Sequence, residues 1–388
     1  MDWVDIARRW VPRKMRFALQ RFISLREVKL RWRERNNPLA HILSGDDNQA
    51  GSPVRFGIVR NAAHSHSHFV GACQELGVPF RVLDLYRSDW LELVKASDCQ
   101  ILLAWPDGFL DSWNAMIKDR VEVLERDLGL VSIPSSRELW LYEDKRRTAY
   151  WLAANEFPHP RTWIFYDREE ADRFVGSCDL PIVFKTSFGA GACGVMIVRS
   201  RRKLRGLVRR AFTKGISPGG TDYRDRQWGN ILLQEYLPDV REWRMVRIGD
   251  AFFGHPKGRV GDFHSGSGKV LWGEPGSQHM DLLFEITERG QFRSMCVDVF
   301  ETLDGRLLVN ELQAVFGASY SVDQLRVNGV AGRFVREHGR WVFEAGDFAR
   351  NACANERVRD ALKRVMQDVT SAEAERDTAG TAASPESR

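Results

Sequence analysis

Two carboxylates in the stretch 294–317 have the spacing of a metal site. The stretch predicts two strands joined by Asp304 and Gly305, a pair typical of a two-residue hairpin turn because both residues tolerate positive φ. Pairing around such a turn places Asp298 directly opposite Glu311. Carboxylates that face each other with Cβ atoms roughly 5 Å apart repel unless a cation lies between them.

Magnesium is the cation that best suits these side chains. Gln313 shares the face of Glu311, because side chains alternate along a strand. Oxygen-only sets of this kind suit Mg²⁺, which takes one or two carboxylates together with waters and phosphate oxygens. The alternative is a hairpin whose acids are solvated on its outer face.

A lysine and three glycines form a second signal in PIVFKTSFGAGACGVMIVRS, residues 181–200. Gly189, Gly191 and Gly194 have the spacing of a dinucleotide-binding loop, but the β-branched residues after them predict a strand rather than the required helix. Two strands around a glycine loop predict a flap whose main-chain N–H groups cover phosphates. Lys185 ends the first strand and would meet the same phosphates as a point charge.

Downstream, residues 231–250 predict two strands with a short connector, and a nucleotide commonly lies against such a connector. Glu242 and Arg244 point the same way, so the carboxylate suits ribose hydroxyls and the guanidinium suits phosphate. The following loop is polar and glycine-rich, and either contacts substrate or forms solvated surface. Its chemically capable side chains are Lys257, Arg259, Asp262, His264, Ser265 and Lys269.

Three histidines, His64, His66 and His68, follow the first predicted strand of the chain. In open α/β sheets the carboxyl ends of strands are where ligands bind. Substrate contact therefore fits these imidazoles better than a metal site does, and helix capping or solvation is the alternative.

Short apolar strands alternate with helical patterns over residues 54–134, which predicts a small parallel sheet. The strands are expected at 54–60, 80–85, 100–105 and 130–134, with helices near 67–76, 88–96 and 112–128. Beyond the sheet, one helix containing Lys145 is expected before Pro158 and Pro160. Later helices are expected near 201–212, 320–328 and 355–368.

Composition describes an ordinary soluble protein, because 43% of the 388 residues are hydrophobic and 28% are charged. No apolar run is long enough to span a membrane and no signal peptide is evident, so a cytoplasmic location is expected. The six cysteines have neither CxxC nor zinc spacing and are expected to be reduced.

Positive charge is concentrated at the start of the chain. Residues 1–36 hold eleven Arg or Lys against four Asp or Glu, a net +7, so the rest sums to about −2 of the total +5. This distribution argues against a nucleic-acid-binding body. An apolar row in the segment has helical spacing, so the segment either lies on an anionic membrane, packs on the enzyme body or pairs with another subunit.

Taken together, these stretches resemble the ATP-grasp superfamily, closest to its RimK-like carboxylate-amine ligase branch. The resemblance runs from about Val54 to Asn328 and rests on the order of EDK, PIVFK with SFGAGACGV, LQEYL, EWR, GDFHSGSG, and VDVF with NELQ. It implies an α/β fold in which a Rossmann-like preATP-grasp domain precedes a two-lobed ATP-grasp domain. The implied divisions are the preATP-grasp domain at 54–135 and an ATP-grasp domain at 136–368, with lobes at about 157–237 and 238–368. Composition adds a basic helical segment at 1–45 and a tail at 369–388 that is expected to be disordered because it has little to bury.

The resemblance also implies a role for each matching residue. Lys145 and Lys185 would contact ATP phosphates, and the loop from Gly189 to Gly194 would cover them. The adenine hinge would be Gln234, Glu235 and Leu237, with Glu242 on ribose and Arg244 on phosphate. Asp298, Glu311 and Gln313 would hold two Mg²⁺ ions, for which Mn²⁺ could substitute. The family usually ends this triad with Glu-x-Asn, so Gln313 presents the same amide oxygen on a longer arm.

The implied chemistry is ligation, in which a carboxylate takes the γ-phosphoryl group of ATP and an amine then displaces phosphate. Arg259 is the first choice for stabilising the acylphosphate, with Lys257 second. The partners would be small-molecule, glycan or peptide acids and amines, and the family's usual dimer is expected. Two alternatives remain open, a kinase of the same fold and a non-catalytic nucleotide-binding protein.

Overall fold

The computed structural model describes residues 54–61, 65–106, 110–189, 193–218, 225–259, 261, 264, 271–316 and 325–365. Their strands form three sheets, and each sheet has its own hydrophobic core. The mixed α/β architecture expected from the sequence is therefore confirmed. Within these residues, no helix combines the length and the apolar character needed to cross a membrane.

The first sheet is parallel, with strand order β2-β1-β3-β4, as the alternating pattern predicts. Its strands are β1 (Phe56–Val59), β2 (Phe80–Leu83), β3 (Ile101–Leu103) and β4 (Val131–Ile133). The connecting helices are α1 (Ser67–Glu75), α2 (Trp90–Lys95) and α3 (Asp111–Leu128). The strands read as short apolar runs because both faces of a parallel sheet are covered.

Two helices, not the single expected one, connect this sheet to the next. They are α4 (Ser136–Leu141) and α5 (Lys145–Ala154), and the break between them has a capping cause. Asp144 adopts an extended conformation and its side chain accepts hydrogen bonds from the main-chain N–H groups of Arg146 and Arg147. Lys145 is therefore the first residue of α5 rather than an interior one.

The second sheet is antiparallel, with order β5-β8-β6-β7, and carries helices α6 (Arg168–Ser177) and α7 (Arg201–Ala211). Its strands are β5 (Thr162–Phe165), β6 (Ile182–Lys185), β7 (Val195–Val198) and β8 (Ile231–Glu235). Period-two alternation divides β6: Ile182 and Phe184 enter the core under the helices, whereas Val183 and Lys185 face the opposite side.

The third sheet has seven strands and one long helix, α8 (Ser277–Gly290). The strand order is β12-β11-β9-β10-β14-β13, with β15 paired to β14. The strands are β9 (Arg241–Ile248), β10 (Ala251–Lys257), β11 (Ser294–Glu301), β12 (Leu307–Gln313), β13 (Leu325–Val327), β14 (Val330–Glu337) and β15 (Arg340–Ala345). Residues 354–365 form the last described helix, α9.

The helix expected near 320–328 is wrong where the structure describes it, because Leu325–Val327 is strand β13. Asn328 and Gly329 both have positive φ and form a two-residue hairpin turn into β14. The remainder of that predicted helix lies outside the described residues.

The β11–β12 hairpin also differs from its prediction. Gly305 has φ +82° and its N–H bonds the carbonyl of Thr302, which makes a three-residue loop instead of a two-residue turn. This loop shifts the pairing by one residue near the turn, where Val299 pairs with Val309. A bulge at Asn310 shifts it back, so Asp298 does lie opposite Glu311.

Candidate nucleotide and metal site

A cleft with about 870 Å³ of empty space, part of it open to solvent, lies between the second and third sheets. It collects ten of the residues that the sequence singled out. They are Lys145, Lys185, Gly189, Gln234, Glu235, Leu237, Glu242, Arg259, His264 and Glu311.

Lys185 enters the cleft from the end of β6 and is only 8% exposed. Its Nζ donates to Asn310 Oδ1 at 2.9 Å, and no described carboxylate lies within ion-pair distance of it. Burial lowers the pKa of Lys185 to about 8, against the opposing effect of Glu311. A buried ammonium held by a neutral amide is suited to an incoming anion such as phosphate.

Lys145 approaches from the first turn of α5. Its Nζ donates to the carbonyl of Gly189 at 2.7 Å and lies 3.4 Å from Glu311 Oε1. The lysine thus connects the glycine flap with the β11–β12 hairpin.

The glycine flap is narrow at its base. Thr186 N donates to the carbonyl of Gly194, which has φ +80°. A Cβ on Gly194 would lie 1.9 Å from Thr186 Oγ1, so no other residue fits without a rearrangement. Gly189 also has a left-handed φ, +118°, and Gly191 lies outside the described residues.

The end of β8 and the connector after it line the cleft, and two polar side chains at the end of β8 are hydrogen-bonded to neighbouring residues. Gln234 Nε2 donates to Thr162 Oγ1 at 3.0 Å. Glu235 accepts from the main chain and the guanidinium of Arg161 at 2.7 and 3.0 Å. This arrangement suits an adenine that pairs with main-chain groups near Leu237, which also lines the cleft.

A row of charged side chains crosses one face of the third sheet. Asp298 on β11 is flanked in register by Glu311 on β12 and Arg244 on β9. Arg244 Nε contacts Asp298 Oδ1 at 3.2 Å. Lys257 Nζ lies between Glu242 Oε1 at 2.6 Å and Asp298 Oδ2 at 2.9 Å.

Charge pairing decides the protonation of this row. Burial alone would raise the pKa of Asp298, but Arg244 and Lys257 outweigh it and hold that pKa well below its usual range. Burial raises the pKa of Glu242 even though Lys257 opposes the shift. The Lys257 pKa is raised, because Asp298 and Glu242 overcome the lowering effect of burial. Asp298 is therefore a carboxylate and Lys257 an ammonium.

Sequence reasoning missed two residues of this site, Asn310 and Glu143. The bulge points both Asn310 and its neighbour Glu311 into the cleft, whereas strict alternation would have turned Asn310 away. Glu143 has φ +52°, and its carboxylate accepts a hydrogen bond from the main-chain N–H of Gly189. Burial raises the Glu143 pKa, with Lys145 opposing. A left-handed non-glycine residue in the EDK motif carried no sequence signal.

Gln313 is fixed by groups on both sides of its amide. Its Nε2 donates to Glu311 Oε1 at 2.8 Å, and its Oε1 accepts from Glu143 N at 3.3 Å. The amide oxygen therefore faces the EDK segment, while the amide nitrogen orients the carboxylate of Glu311.

The donor set fits magnesium. Asp298 and Glu311 are paired across two strands and supply hard oxygen ligands, and Glu311 lines the cleft. Within the described ranges, no three His, Cys, Asp or Glu side chains cluster as a metal site. Gln313 would need to turn its amide to add a third oxygen.

The predicted catalytic and substrate residues separate into two places. Arg259 and His264 line the cleft, and His264 Nδ1 lies 3.7 Å from Glu242 Oε2. Burial, together with Arg259 and Lys257, lowers the pKa of His264, so the ring is neutral near pH 7. Ser265 lies outside the described residues.

His66 and His68, the two described histidines beside the first sheet, do not line the cleft. His66 is buried at the start of α1, where its Nδ1 accepts from Asn61 N at 3.1 Å. His68 lies against the Trp105 ring with centroids 5.8 Å apart. His64 lies outside the described residues, and substrate contact by this segment stays a prediction.

Comparison with solved structures identifies the class of fold. The biotin carboxylase domain of Hydrogenobacter thermophilus 2-oxoglutarate carboxylase, crystallised with MgADP and bicarbonate, matches with TM-score 0.52 and 16% identity over 69% of this chain and 65% of that one. An N5-carboxyaminoimidazole ribonucleotide synthetase crystallised with ADP matches with TM-score 0.51 and 14% identity over 70% and 73%. A RimK domain ATP-grasp protein of Sphaerobacter thermophilus matches with TM-score 0.46 and 16% identity over 68% of this chain and 92% of that one. None of the curated proteins that were compared matches the sequence.

The fold is thus the ATP-grasp fold. The profile of the RimK-like ATP-grasp domain matches residues 142–336, half of the chain, and the chain belongs to the RimK-like ATP-grasp family. It is an ATP-grasp enzyme of the carboxylate-amine ligase type, a class that uses ATP and Mg²⁺.

Proposed function

We propose that this enzyme activates a carboxylate as an acylphosphate in the cleft and joins it to an amine. The observation that carries the proposal is the Asp298–Glu311 pair, of which Glu311 lines the cleft together with Lys145 and Lys185. Oxygen ligands beside two lysines suit a metal-bound triphosphate better than any single anion.

The adenosine part of the nucleotide is assigned to the end of β8, the connector after it and the start of β9. Adenine pairs with the main chain of Gln234, Glu235 and Leu237, and Glu242 accepts from ribose. Phosphates lie between Lys145, Lys185 and the flap of Gly189, Gly191 and Gly194, and Arg244 adds a further positive charge. Bound Mg²⁺ at Asp298, Glu311 and Gln313 would neutralise charge on the transferring phosphoryl group.

The reaction proceeds in two displacements. A carboxylate oxygen attacks the γ-phosphorus, the bond to the β-phosphate oxygen breaks, and ADP leaves. The amine nitrogen then attacks the acyl carbon. The bond between that carbon and the phosphate oxygen breaks, phosphate leaves, and the nitrogen loses a proton. Arg259 stabilises the acylphosphate from the open side of the cleft. Lys257 is the second choice for stabilising the acylphosphate, because its ammonium is held between Glu242 and Asp298.

Acid and amine are small-molecule, glycan or peptide compounds, and contact by His264 and Ser265 is proposed at the cleft mouth. Domain limits are proposed at 54–135 and 136–368.

Residues 1–36 are proposed to hold the enzyme peripherally at an anionic membrane, and the proposed assembly is a homodimer. Deletion of residues 1–45 tests this membrane role: weaker anionic-vesicle binding than that of the full chain would support it, and unchanged binding would refute it.

ADP release with a mixed pool of carboxylates and amines tests the site. The wild-type chain should release ADP only with Mg²⁺ and a substrate, and Glu311→Gln should lose most of this activity. Equal ADP release by the two proteins would refute the metal assignment.

A further inference from the structure

Helix α7 presents a dense cationic surface on the second sheet. Its exposed side chains Arg202, Lys203, Arg205, Arg209 and Arg210, here called the α7 face, lie opposite the buried stripe of Leu204, Val208 and Ala211. Gly206 lies among them, and a Cβ there would meet nothing within 4 Å. The result is a basic face along one side of α7.

The α7 face lacks acidic partners. No carboxylate in the part of the chain that the structure describes lies within ion-pair distance of these five side chains. Elsewhere on the surface, exposed arginines such as Arg87, Arg126 and Arg306 each pair with an aspartate. Five uncompensated cations on three turns of helix repel one another, so an anionic surface would relieve that repulsion.

An exposed tryptophan lies beside the carboxyl end of α7. Trp228 is 66% exposed, and its Nε1 donates to the carbonyl of Thr213 at 3.2 Å. The adjacent Gly229 N bonds the carbonyl of Ala211, the last residue of α7. The indole thus has its polar atom satisfied and its apolar ring in solvent, as in tryptophans at membrane interfaces.

We propose that the α7 face and Trp228 dock the enzyme on an anionic lipid bilayer. Lysines and arginines near an anionic membrane add binding strength, and an interfacial tryptophan adds apolar contact. Sequence-independent nucleic-acid sites instead combine a groove with successive stacked aromatic rings. The α7 face lies along a single helix and has one exposed aromatic neighbour among the described residues, which favours lipid.

The docking surface lies on the far side of its sheet from the cleft. Leu204 and Val208 pack on Phe184 and Leu233, whereas the alternate residues Lys185 and Gln234 line the cleft. Changes to the α7 face should therefore leave nucleotide binding intact.

Vesicle co-sedimentation of the full chain tests the proposal, with phosphatidylcholine alone and with one third phosphatidylglycerol. Arg202→Glu/Arg205→Glu/Arg209→Glu should lower partitioning onto the anionic vesicles roughly 100-fold, since each basic residue contributes roughly fivefold. Trp228→Ala should weaken partitioning severalfold, and salt should weaken it for the wild type.

The matched control is Lys95→Glu/Arg289→Glu/Arg340→Glu, which changes net charge equally at exposed positions elsewhere. It should partition within about threefold of wild type. All proteins should bind a fluorescent ADP analogue alike, which excludes misfolding. The proposal is overturned if wild type ignores anionic vesicles, if both triple variants lose binding equally, or if the α7 variant binds as wild type. Binding to single-stranded RNA with no binding to vesicles would also overturn it.

Discussion

Asp298 shows how one buried carboxylate can serve stability and metal binding together. It is 1% exposed and is paired with both Arg244 and Lys257. Glu311 lies directly opposite and, among the described residues, makes polar side-chain contacts only with Lys145 at 3.4 Å and with Gln313. The two members of the expected metal pair should therefore respond differently to loss of charge.

Asp298→Asn should lower the free energy of unfolding by about 3–5 kcal/mol, because it leaves two buried cations without a full partner. Glu311→Gln should cost less than about 1 kcal/mol. Both should weaken Mn²⁺ binding in the presence of ADP at least tenfold. Urea unfolding and calorimetric titration measure the two effects. Wild-type metal affinity in Glu311→Gln would contradict the assignment, whatever the stability.

Lys185 should make nucleotide binding sensitive to pH. Its pKa of about 8 means that the protonated fraction falls as pH rises through 8, and only the ammonium attracts phosphate. ADP affinity should fall between about pH 7 and 9, and Lys185→Met should be weaker at pH 7 with little pH dependence. Fluorescence titration across this range provides the measurement.

Lys118 supplies the matched control, because burial also lowers its pKa to about 8 but it does not line the cleft. Lys118→Met should keep the wild-type pH dependence. The assignment fails if Lys185→Met keeps that dependence and Lys118→Met abolishes it.

At the scale of elements, the glycine flap depends on one close approach. Gly194→Ala should destabilise the chain by about 1–3 kcal/mol and weaken ADP binding, because φ is +80° and the Cβ would overlap Thr186 Oγ1. Gly176→Ala in α6 meets no neighbour within 4 Å and should stabilise by about 0.5–1 kcal/mol. Thermal denaturation and ADP titration of both variants would check this, and unchanged ADP affinity in Gly194→Ala would show that the flap tolerates the side chain.

The β11–β12 hairpin shows what sequence can and cannot predict for an element. The sequence predicted that Asp298 lies opposite Glu311, but it predicted the wrong turn. The hairpin reaches this pairing through two register shifts that cancel each other. The loop closes with three residues because Gly305 takes the left-handed position, and the bulge at Asn310 restores the register. Bulges have no strong residue signature, so Asn310 in the cleft was not foreseen.

Helix boundaries near the site depended on capping groups rather than on hydrophobic spacing. One helix was expected from the apolar spacing of Leu139, Tyr142, Ala149 and Leu152. Instead, Asp144 caps the start of a second helix. In the same way, Asn328 and Gly329 end β13 within a stretch expected to be helical. Local turn and cap chemistry outweighed periodicity at both positions.

At the scale of the whole molecule, the parallel sheet and the order of motifs were predictable because both depend on the residue pattern of short, continuous stretches of sequence. The packing partners of helix α9 could not be predicted from the sequence. Ala354, Val358 and Ala361 belong to the core of the first sheet, although the chain reaches them only after the third. Contacts between residues this distant in sequence leave no pattern in a single chain.

Because the cleft is lined by both the second and the third sheet, a nucleotide should link them and stabilise the chain. ADP with Mg²⁺ at 100 times its Kd should add about 2.7 kcal/mol to the free energy of unfolding. The increment should shrink when Mg²⁺ is chelated and should lose its Mg²⁺ dependence in Glu311→Gln. Thermal denaturation with a nucleotide series measures this, and a stabilisation indifferent to Mg²⁺ in the wild type would contradict it.

Hydroxylamine trapping tests carboxylate activation most directly. The enzyme is incubated with ATP, Mg²⁺, a carboxylate pool and hydroxylamine, and the products are identified by mass spectrometry beside the ADP formed. The proposed function predicts a hydroxamate that requires ATP and appears in step with ADP, and that is absent with Asp298→Asn. A stable phosphoester formed in step with ADP, without any hydroxamate, would contradict it.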